Sequence, residues 1–433
     1  MSTEPTPRLL VVMGSGETSP TMVATHRTTF DRLGPGPTAA TLIDTPFGFQ
    51  ENADDLTERV LGYFQRSLGR QMSVARLRRA ELPALDRERA LARLREARLV
   101  FSGPGSPTYA LRQWKALAPV VGLLTDKLRT GGAIVFASAA AVTLGRFAVP
   151  VYEIYKVGED PSWLEGLDLL AELEMSVAVL PHFNNTEGGT HDTRYCYLGE
   201  RRLVALEEDL PEGSFVLGVD EHTACLFDLD RRSATVTGLG GVTVRCRSRA
   251  TVFPTGSTVP IANLLAAARG SSRGVRPTSS TAADEDDSAG PALAADGRTS
   301  PLPVESARLG AAFDQALSED DPAAAAGALL ELAELVFAWS ADSLQSEDLE
   351  GARSLLAADL LRLGEWAGAG VRDLRPVIGP YVEALVELRT ALRSERRFET
   401  ADTLRRQLST LGVELQDTPE GTLWELRAVP GGE

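Results

Sequence analysis

Gly131-Gly132-Ala133-Ile134-Val135-Phe136-Ala137-Ser138-Ala139-Ala140-Ala141-Val142-Thr143-Leu144-Gly145 is the stretch on which the reading of this chain turns. Ala133 to Phe136 is a short apolar run of the kind found in a strand buried on both faces. It ends in Ser138 among tiny residues and then in what reads as a helix start. A serine at a sharp strand-to-helix turn is the geometry of a nucleophile elbow: small neighbours permit the tight turn, and the hydroxyl projects above the sheet. Beside this stands a plainer reading, in which Ser138 is an ordinary helix N-cap.

Working outward, apolar strands alternate with helical stretches. Leu9 to Met13 precedes the turn Gly14-Ser15-Gly16-Glu17-Thr18-Ser19, Ala39 to Ile43 precedes Asp44-Thr45-Pro46, and Leu99 to Phe101 precedes Ser102-Gly103-Pro104-Gly105-Ser106-Pro107. Helical patterns cover Asn52 to Leu68, Asp86 to Arg98 and Ala110 to Arg129. The alternation predicts an α/β fold: a doubly wound, mainly parallel sheet with helices on both faces. Sites in such sheets form at the carboxyl ends of the strands, which is where Gly14, Gly16, Gly103, Gly105 and Ser138 fall. The first turn is no dinucleotide fingerprint, because Ser19 stands where its last glycine belongs.

The 433 residues are 43% hydrophobic and 24% charged, ordinary values for a folded chain, and their length suits two or three domains. The net charge of −16 argues against broad adhesion to nucleic acid or anionic membrane, though not against a local basic patch. Three cysteines without a paired spacing suggest neither a disulfide framework nor a zinc cluster, so no metal and no cofactor is expected. No apolar run reads as a membrane span, and the first residues lack a signal-peptide pattern; the expected location is the cytoplasm. Composition shifts near Gly270. The Ser-, Ala-, Gly- and Pro-rich stretch that follows has almost no large apolar residues and reads as a disordered tether. The predicted division is an α/β domain over 1–270, a disordered linker over 271–303 and a small helical domain over 304–433, which ends in a hairpin turning at Pro419-Glu420-Gly421.

The chain has four histidines. His182 follows the apolar strand Ser176 to Leu180 and should reach the same edge as Ser138. Glu153 lies between them in sequence, and the order Ser, acid, His is that of α/β serine hydrolases. An imidazole would take the serine proton, and a carboxylate would hold the imidazole. The Ala139 amide, with Gly103 or Gly105, would supply the oxyanion hole. His191 competes for the base role, Glu153 could instead pair with Lys156 or an arginine, and His26 reads as a surface residue of an early helix.

Gly14-Ser15-Gly16-Glu17, Ser102-Gly103-Pro104-Gly105-Ser106-Pro107, the Ser138 elbow and Pro181-His182-Phe183 together resemble the peptidase S51 group over residues 8 to 255. That group includes dipeptidase E and cyanophycinase and has a flavodoxin-like fold similar to class I glutamine amidotransferases. The resemblance implies serine hydrolysis of small peptides, often with an acidic or β-linked aspartyl residue, with Ser138 as nucleophile, His182 as base and Glu153 as acid; the expected function is a serine hydrolase acting on a small peptide, amide or aminoacyl substrate. The elbow departs from the family's Gly-x-Ser-Ala-Gly, since Ala140 replaces a glycine. Phe398-Glu399-Thr400-Ala401-Asp402 through Leu411-Gly412-Val413, and Asp417-Thr418-Pro419-Glu420-Gly421-Thr422-Leu423-Trp424, resemble the tail of cysteinyl-tRNA synthetase. The synthetase's HIGH and KMSKS motifs and zinc ligands are absent, so aminoacylation is not expected. The tail implies an RNA-facing module, with Arg393, Arg396, Arg397, Arg405 and Arg406 as candidate phosphate contacts; the same arginines also read as a solvated helix face. The expected partners are a small peptide or amide as substrate, tRNA as a candidate, no membrane, and a homodimer as a candidate assembly. The competing functional reading is a non-catalytic RNA- or partner-binding protein whose hydrolase domain has decayed.

Overall fold

The computed structural model describes residues 6–35, 37–188, 191–270, 302–319, 321–339, 346–370, 375–418 and 421–426. The chain divides into two compact units, Met1–Thr299 and Ser300–Glu433. The expected linker over 271–303 lies almost wholly outside the described residues.

In the first unit the strands are β1 (Arg8–Met13), β2 (Ala40–Ile43), β3 (Met72–Ala75), β4 (Leu99–Ser102), β5 (Gly132–Ala137), β6 (Phe147–Ala148) and β7 (Leu164–Glu165). They are followed by β8 (Val177–Leu180), β9 (Phe215–Val219), β10 (Thr223–Asp228), β11 (Ser233–Gly238), β12 (Gly241–Cys246), β13 (Arg249–Pro254) and β14 (Thr258–Pro260). The main sheet has the order β14-β11-β10-β1-β5-β4-β2-β3. Its half from β1 to β3 is parallel, and β10, β11 and β14 extend it antiparallel.

Phe101 of β4 pairs in register with Val135 of β5, so Phe136 faces the opposite side of the sheet. Trp114, from the helix Pro107–Ala116, stacks on Phe136 at 5.5 Å between ring centroids. On the other side Phe64 and His26, from the helices Ala53–Leu68 and Val23–Arg32, pack edge-on against Phe101 at 5.1 and 5.9 Å. Helices therefore cover both faces, as the alternating pattern requires. β1, β4 and β5 are buried almost throughout.

The unit goes beyond the expected doubly wound sheet in one respect. The unit holds a second, six-stranded sheet, β13-β12-β9-β8-β6-β7, in which β6, β8 and β9 are parallel and the rest antiparallel. The strand that leads to His182 belongs to this sheet, whereas the strand that leads to Ser138 belongs to the first. The helix expected over Ala110 to Arg129 is two helices, Pro107–Ala116 and Ala118–Thr130, broken at Leu117 with Pro119 in the second helix's first turn.

The second unit is helical: Leu302–Ser318, Pro322–Trp339, Ser346–Gly370, Arg375–Ser394 and Phe398–Thr410, followed by the hairpin β15 (Val413–Thr418) and β16 (Gly421–Leu426). Asp321 caps the second helix, its Oδ1 accepting from the amides of Ala323 and Ala324 at 3.0 and 2.9 Å. The predicted turn falls on residues 419 and 420, outside the described residues, but the pairing of Thr418 with Gly421 brackets it. Contrary to the expectation from apolar runs, Pro322–Trp339 is long and apolar enough to cross a membrane by length and composition. It carries Glu331 and Glu334, and its Ala325, Leu329, Leu332, Val336 and Trp339 are buried in the unit's own core, as in a bundle helix.

Candidate active site

β5 ends at Ala137, in extended conformation at φ −123° and ψ 153°. Ser138 then takes φ +48° and opens the helix Ser138–Val142. A left-handed non-glycine residue costs roughly 1–2 kcal/mol and persists only where its surroundings impose it. Those surroundings are visible. Met13 pairs with Ala137 on one side of β5, Ser102 pairs with Phe136 on the other, and the amide of Ala140 donates to the carbonyl of Gly103 at 3.2 Å. Ala140 is fully buried, and its Cβ is accommodated where the family pattern has glycine. The N-cap reading of Ser138 gives way: Ala137 holds the cap position, and the Ser138 hydroxyl is directed elsewhere.

Its partner is His182. Oγ of Ser138 lies 3.1 Å from Nε2, and Nδ1 of His182 lies 2.8 Å from Oε1 of Glu221. A carboxylate only accepts hydrogen bonds, so Nδ1 carries the proton and Nε2 presents its lone pair to the serine O–H. Both Ser138 and His182 are buried, at 6% and 4% exposure. β8 delivers His182 and the neighbouring parallel strand β9 delivers Glu221, so the base and its acid leave adjacent strand ends. Asn185 Nδ2 donates to the same Glu221 oxygen at 3.0 Å, and the Glu221 amide donates to Asn184 Oδ1 at 2.8 Å. Burial pushes the Glu221 carboxyl up, but the hydrogen bonds from His182 and Asn185 help to outweigh that and hold it below the usual range.

Glu153 is not the third member of this relay. Its Oε2 accepts from Thr108 Oγ1 at 3.0 Å, at the start of a single π-helical turn, Glu153–Val157. Nor does it pair with Lys156, whose ammonium lies over the Tyr155 ring at 4.7 Å. His191 does not compete for the serine: its Nε2 lies 3.3 Å from Tyr155 Oη. His26 is not a surface residue. It is wholly buried, its Nε2 bonds the Glu17 carbonyl oxygen at 2.8 Å, and burial lowers its pKa to about 4.

Ala139 occupies the first turn of the helix after Ser138, where an amide has no intrahelical acceptor. Gly103 lies one residue past β4, with its carbonyl committed to the elbow and the Glu17 carboxylate close to its Cα hydrogens. Gly105 has φ +137°, and a Cβ there would come within 2.1 Å of the Pro46 carbonyl oxygen, so only glycine lets these loops pass so closely. Gly14 presses on the backbone of Asp220, and its amide donates to Thr223 at 2.9 Å. Gly16 packs against the His222 ring, which Thr21 Oγ1 meets at 2.8 Å. The two glycines therefore shape the β1 loop against the residues on either side of Glu221. Among the described residues, no group of three or more His, Cys, Asp or Glu is arranged to hold a metal ion.

In the second unit the candidate RNA-contacting arginines are largely engaged within the protein. Asp417 of β15 receives a bidentate pair from buried Arg389 at 2.7 and 2.8 Å, and Arg393 and Arg405 approach it at 3.3 and 3.9 Å. Arg405 also donates to the Leu415 carbonyl, Arg406 to Thr403 Oγ1, and Arg397 is mostly buried. Arg396 sits at φ +57° in the turn between the last two helices. The arginines that meet Asp417 tie the hairpin to the helices Arg375–Ser394 and Phe398–Thr410.

No model of a known protein family matches the chain. Among solved structures, a peptidase from an acI-B1 Actinobacterium is similar over 59% of this chain and 97% of its own, with 19% identity and a TM-score of 0.45. A protein from Listeria monocytogenes EGD-e described as peptidase E is similar over 54% of this chain and 99% of its own, with 14% identity and a TM-score of 0.38. Among curated proteins, the C-terminal region is similar to cysteine–tRNA ligases. That of Thermococcus gammatolerans is 48% identical over 44 residues, that of Streptomyces avermitilis 34% over 95, and that of Desulfovibrio desulfuricans 32% over 151. These matches take in 10%, 19% and 30% of this chain and 9%, 20% and 31% of the respective ligases, so the chain spans less than a third of any of these three.

Proposed function

We propose that the first unit is a serine-type hydrolase acting on a small peptide, amide or aminoacyl bond through Ser138, His182 and Glu221. The observation that carries this reading is the continuous relay from Ser138 Oγ to His182 Nε2 and from Nδ1 to Glu221. In the first step Oγ attacks the substrate carbonyl carbon while its proton passes to Nε2. The resulting imidazolium is stabilised by Glu221, which keeps its own charge. The carbonyl oxygen becomes an oxyanion facing the Ala139 amide, and one such donor is worth about 3 kcal/mol in the barrier. The imidazolium then returns its proton to the leaving group, and water repeats the sequence on the acyl-serine.

The test is labelling with a fluorophosphonate probe, which forms a bond only to an activated serine. Wild type should label and Ser138→Ala should not, with circular dichroism unchanged. Equal labelling of the two proteins, or none with any of several small probes, would overturn the reading.

The likeness to cysteine–tRNA ligases favours a separate role for the second unit as an RNA-docking module, by which a tRNA-linked substrate could be brought to the hydrolase. Binding of tRNA that weakens with salt, and that is lost on deleting residues 304–433, is the expected result. Equal binding by the truncated chain would end that reading.

A further inference from the structure

Tyr195, Cys196 and Tyr197 have φ of +61°, +59° and +64°. Three successive non-glycine residues in the left-handed region form a turn that the chain adopts only under constraint. The constraint is applied at the candidate base. The Cys196 amide donates to the carbonyl of His182 at 3.2 Å, and the Tyr195 amide to that of Phe183 at 3.0 Å. The Tyr195 ring packs edge-on against Phe183 at 4.6 Å. His182 itself sits at φ +50°, so its backbone is held from outside its own strand.

The side chains close the arrangement. The Tyr197 ring lies 5.7 Å from the His182 ring, and its hydroxyl donates to Glu187 Oε2 at 3.1 Å. The Glu187 amide donates to Asn185 Oδ1 at 3.2 Å, and Asn185 Nδ2 donates to Glu221, which holds His182. The circuit thus runs from His182 through Glu221, Asn185, Glu187 and Tyr197 and back to the imidazole. Tyr155 backs the Tyr197 ring from outside at 5.4 Å.

We infer that Tyr197, held in this left-handed turn, is a positioning residue for the hydrolase proposed above: its ring fixes the plane of His182, and the bond of its hydroxyl to Glu187 is a minor anchor of that ring. The inference rests on the serine-hydrolase reading for its effect on rate, but on the His182 environment alone for its effect on geometry. Neither the nucleophile nor the oxyanion donors touch Tyr197 in these contacts, so it acts through the imidazole.

The test uses the full-length chain with Tyr197→Ala, Tyr197→Phe and Glu187→Gln. Fluorophosphonate inactivation is resolved into a maximal rate and a half-saturating concentration. Misplacing a reacting group by about 1 Å costs on the order of 100-fold, so Tyr197→Ala should lower the maximal rate about 10- to 100-fold with the half-saturating concentration little changed. Tyr197→Phe keeps the ring and loses the bond to Glu187; it should recover most of the rate, within about 3-fold of wild type, as should Glu187→Gln. With only four histidines in the chain, the His182 Nδ1 proton can be followed by NMR in histidine-labelled protein. It should be sharp and downfield in wild type and Tyr197→Phe, and exchange-broadened in Tyr197→Ala.

A Tyr197→Ala protein that labels at the wild-type rate, or whose Nδ1 resonance is unchanged, overturns the inference. So does a loss seen only in the half-saturating concentration. If wild type does not label but its Nδ1 resonance is sharp and is lost in Tyr197→Ala, the positioning role stands while the hydrolase reading falls. If Tyr197→Ala does not fold, Tyr197→Leu supplies the same comparison, since it fills the space without the ring plane or the hydroxyl.

Discussion

Replacing Glu221 by glutamine removes one charge and little volume, and so asks whether this carboxylate is the acid of the relay. Its Oε1 lies 2.8 Å from His182 Nδ1 in a pocket where Glu221 is mostly buried. A hydrogen bond to a charged group contributes about 1.5–3 kcal/mol, and 1.36 kcal/mol is tenfold in rate. Loss of imidazolium stabilisation alone therefore predicts a fall in labelling rate of about 10- to 150-fold. Glutamine can also turn its amide N–H₂ toward Nδ1, which would move the imidazole proton to Nε2 and leave no lone pair for the Ser138 hydroxyl. In serine relays that wrong tautomer costs up to about 10⁴-fold. The paired control is Glu153→Gln, which alters only the Thr108 contact and should label within about 2-fold of wild type. The acid limb of the pH profile gives the sign. Glu221 is held below its ordinary value of 4.5, so its support for His182 is present above that value and is lost as pH falls through the lower, folded-state value. The assay is stopped-flow or gel-resolved fluorophosphonate labelling from pH 4 to 9. A Glu221→Gln enzyme as fast as wild type, or a Glu153→Gln enzyme slowed as much as Glu221→Gln, would refute the assignment.

His26, with a folded-state pKa of about 4 against 6.5, cannot take up a proton without loss of stability. The first unit should lose about 3 kcal/mol as pH falls from 6.5 toward 4, and urea midpoints of His26→Leu should be much flatter over that window. Arg389→Ala removes the bidentate pair from half-exposed Asp417, which keeps Arg393 and Thr422, so the second unit should lose about 1–2 kcal/mol in chemical denaturation, with Arg389→Met milder. Gly105→Ala puts a methyl within 2.1 Å of the Pro46 carbonyl oxygen and should cost at least about 2 kcal/mol together with most Ser138 labelling. Gly122→Ala, a helix position with open space around it, should instead stabilise by about 0.5–1 kcal/mol in thermal unfolding.

Strand-end reasoning found Ser138 and His182 because each follows an apolar run and because the carboxyl edge of a parallel sheet collects such residues. The same rule applies to Glu221, which follows β9. The sequence does not single it out, because the order Ser, acid, His places the acid between serine and histidine, where Glu153 stands. Chain order carries no physical constraint on a site assembled by strand adjacency; the adjacency of β8 and β9 does. That adjacency was not legible, since which strand lies beside which is decided by pairings between residues tens of positions apart. The second sheet escaped notice for the same reason. His26 was misjudged for a different one. The inner face of its helix is Thr25, His26, Thr29 and Phe30, and each polar side chain there has a hydrogen bond inside the protein, Thr29 to the Thr25 carbonyl, Thr25 to Thr237 and His26 Nε2 to the Glu17 carbonyl. Such a face looks polar in sequence and is core in space. In the tail the hairpin was legible from its turn residues and alternation, whereas the engagement of Arg393 and Arg405 by Asp417 depended on how the hairpin folds back.

The distribution of backbone strain bears on whether the site is in working order. Among the described residues, part of the non-glycine positive φ falls at ordinary turns and helix ends: Asp168 and Glu174 flank the short helix Leu169–Leu173, Arg232 sits in the turn before β11, and Arg396 lies between the last two helices. Arg247 and Ser248, at +49° and +64°, join β12 to β13 as a two-residue turn between paired Cys246 and Arg249, where the twist of a hairpin calls for that conformation. Ser138, His182, Tyr195, Cys196, Tyr197 and His222 share no such local cause. They cluster around one relay, on loops at the ends of β5, β8 and β9 and on the turn that grips His182. A decayed domain released from selection for catalysis would be free to relax these residues, since each relaxed residue recovers on the order of 1 kcal/mol. Their clustering, alongside a serine, imidazole and carboxylate at 3.1 and 2.8 Å, supports the proposed hydrolase over the reading of a decayed scaffold. Substitution at Ala140 is compatible with this, because the conformation that matters at the elbow belongs to Ser138, and Ala140 already fits its helical place.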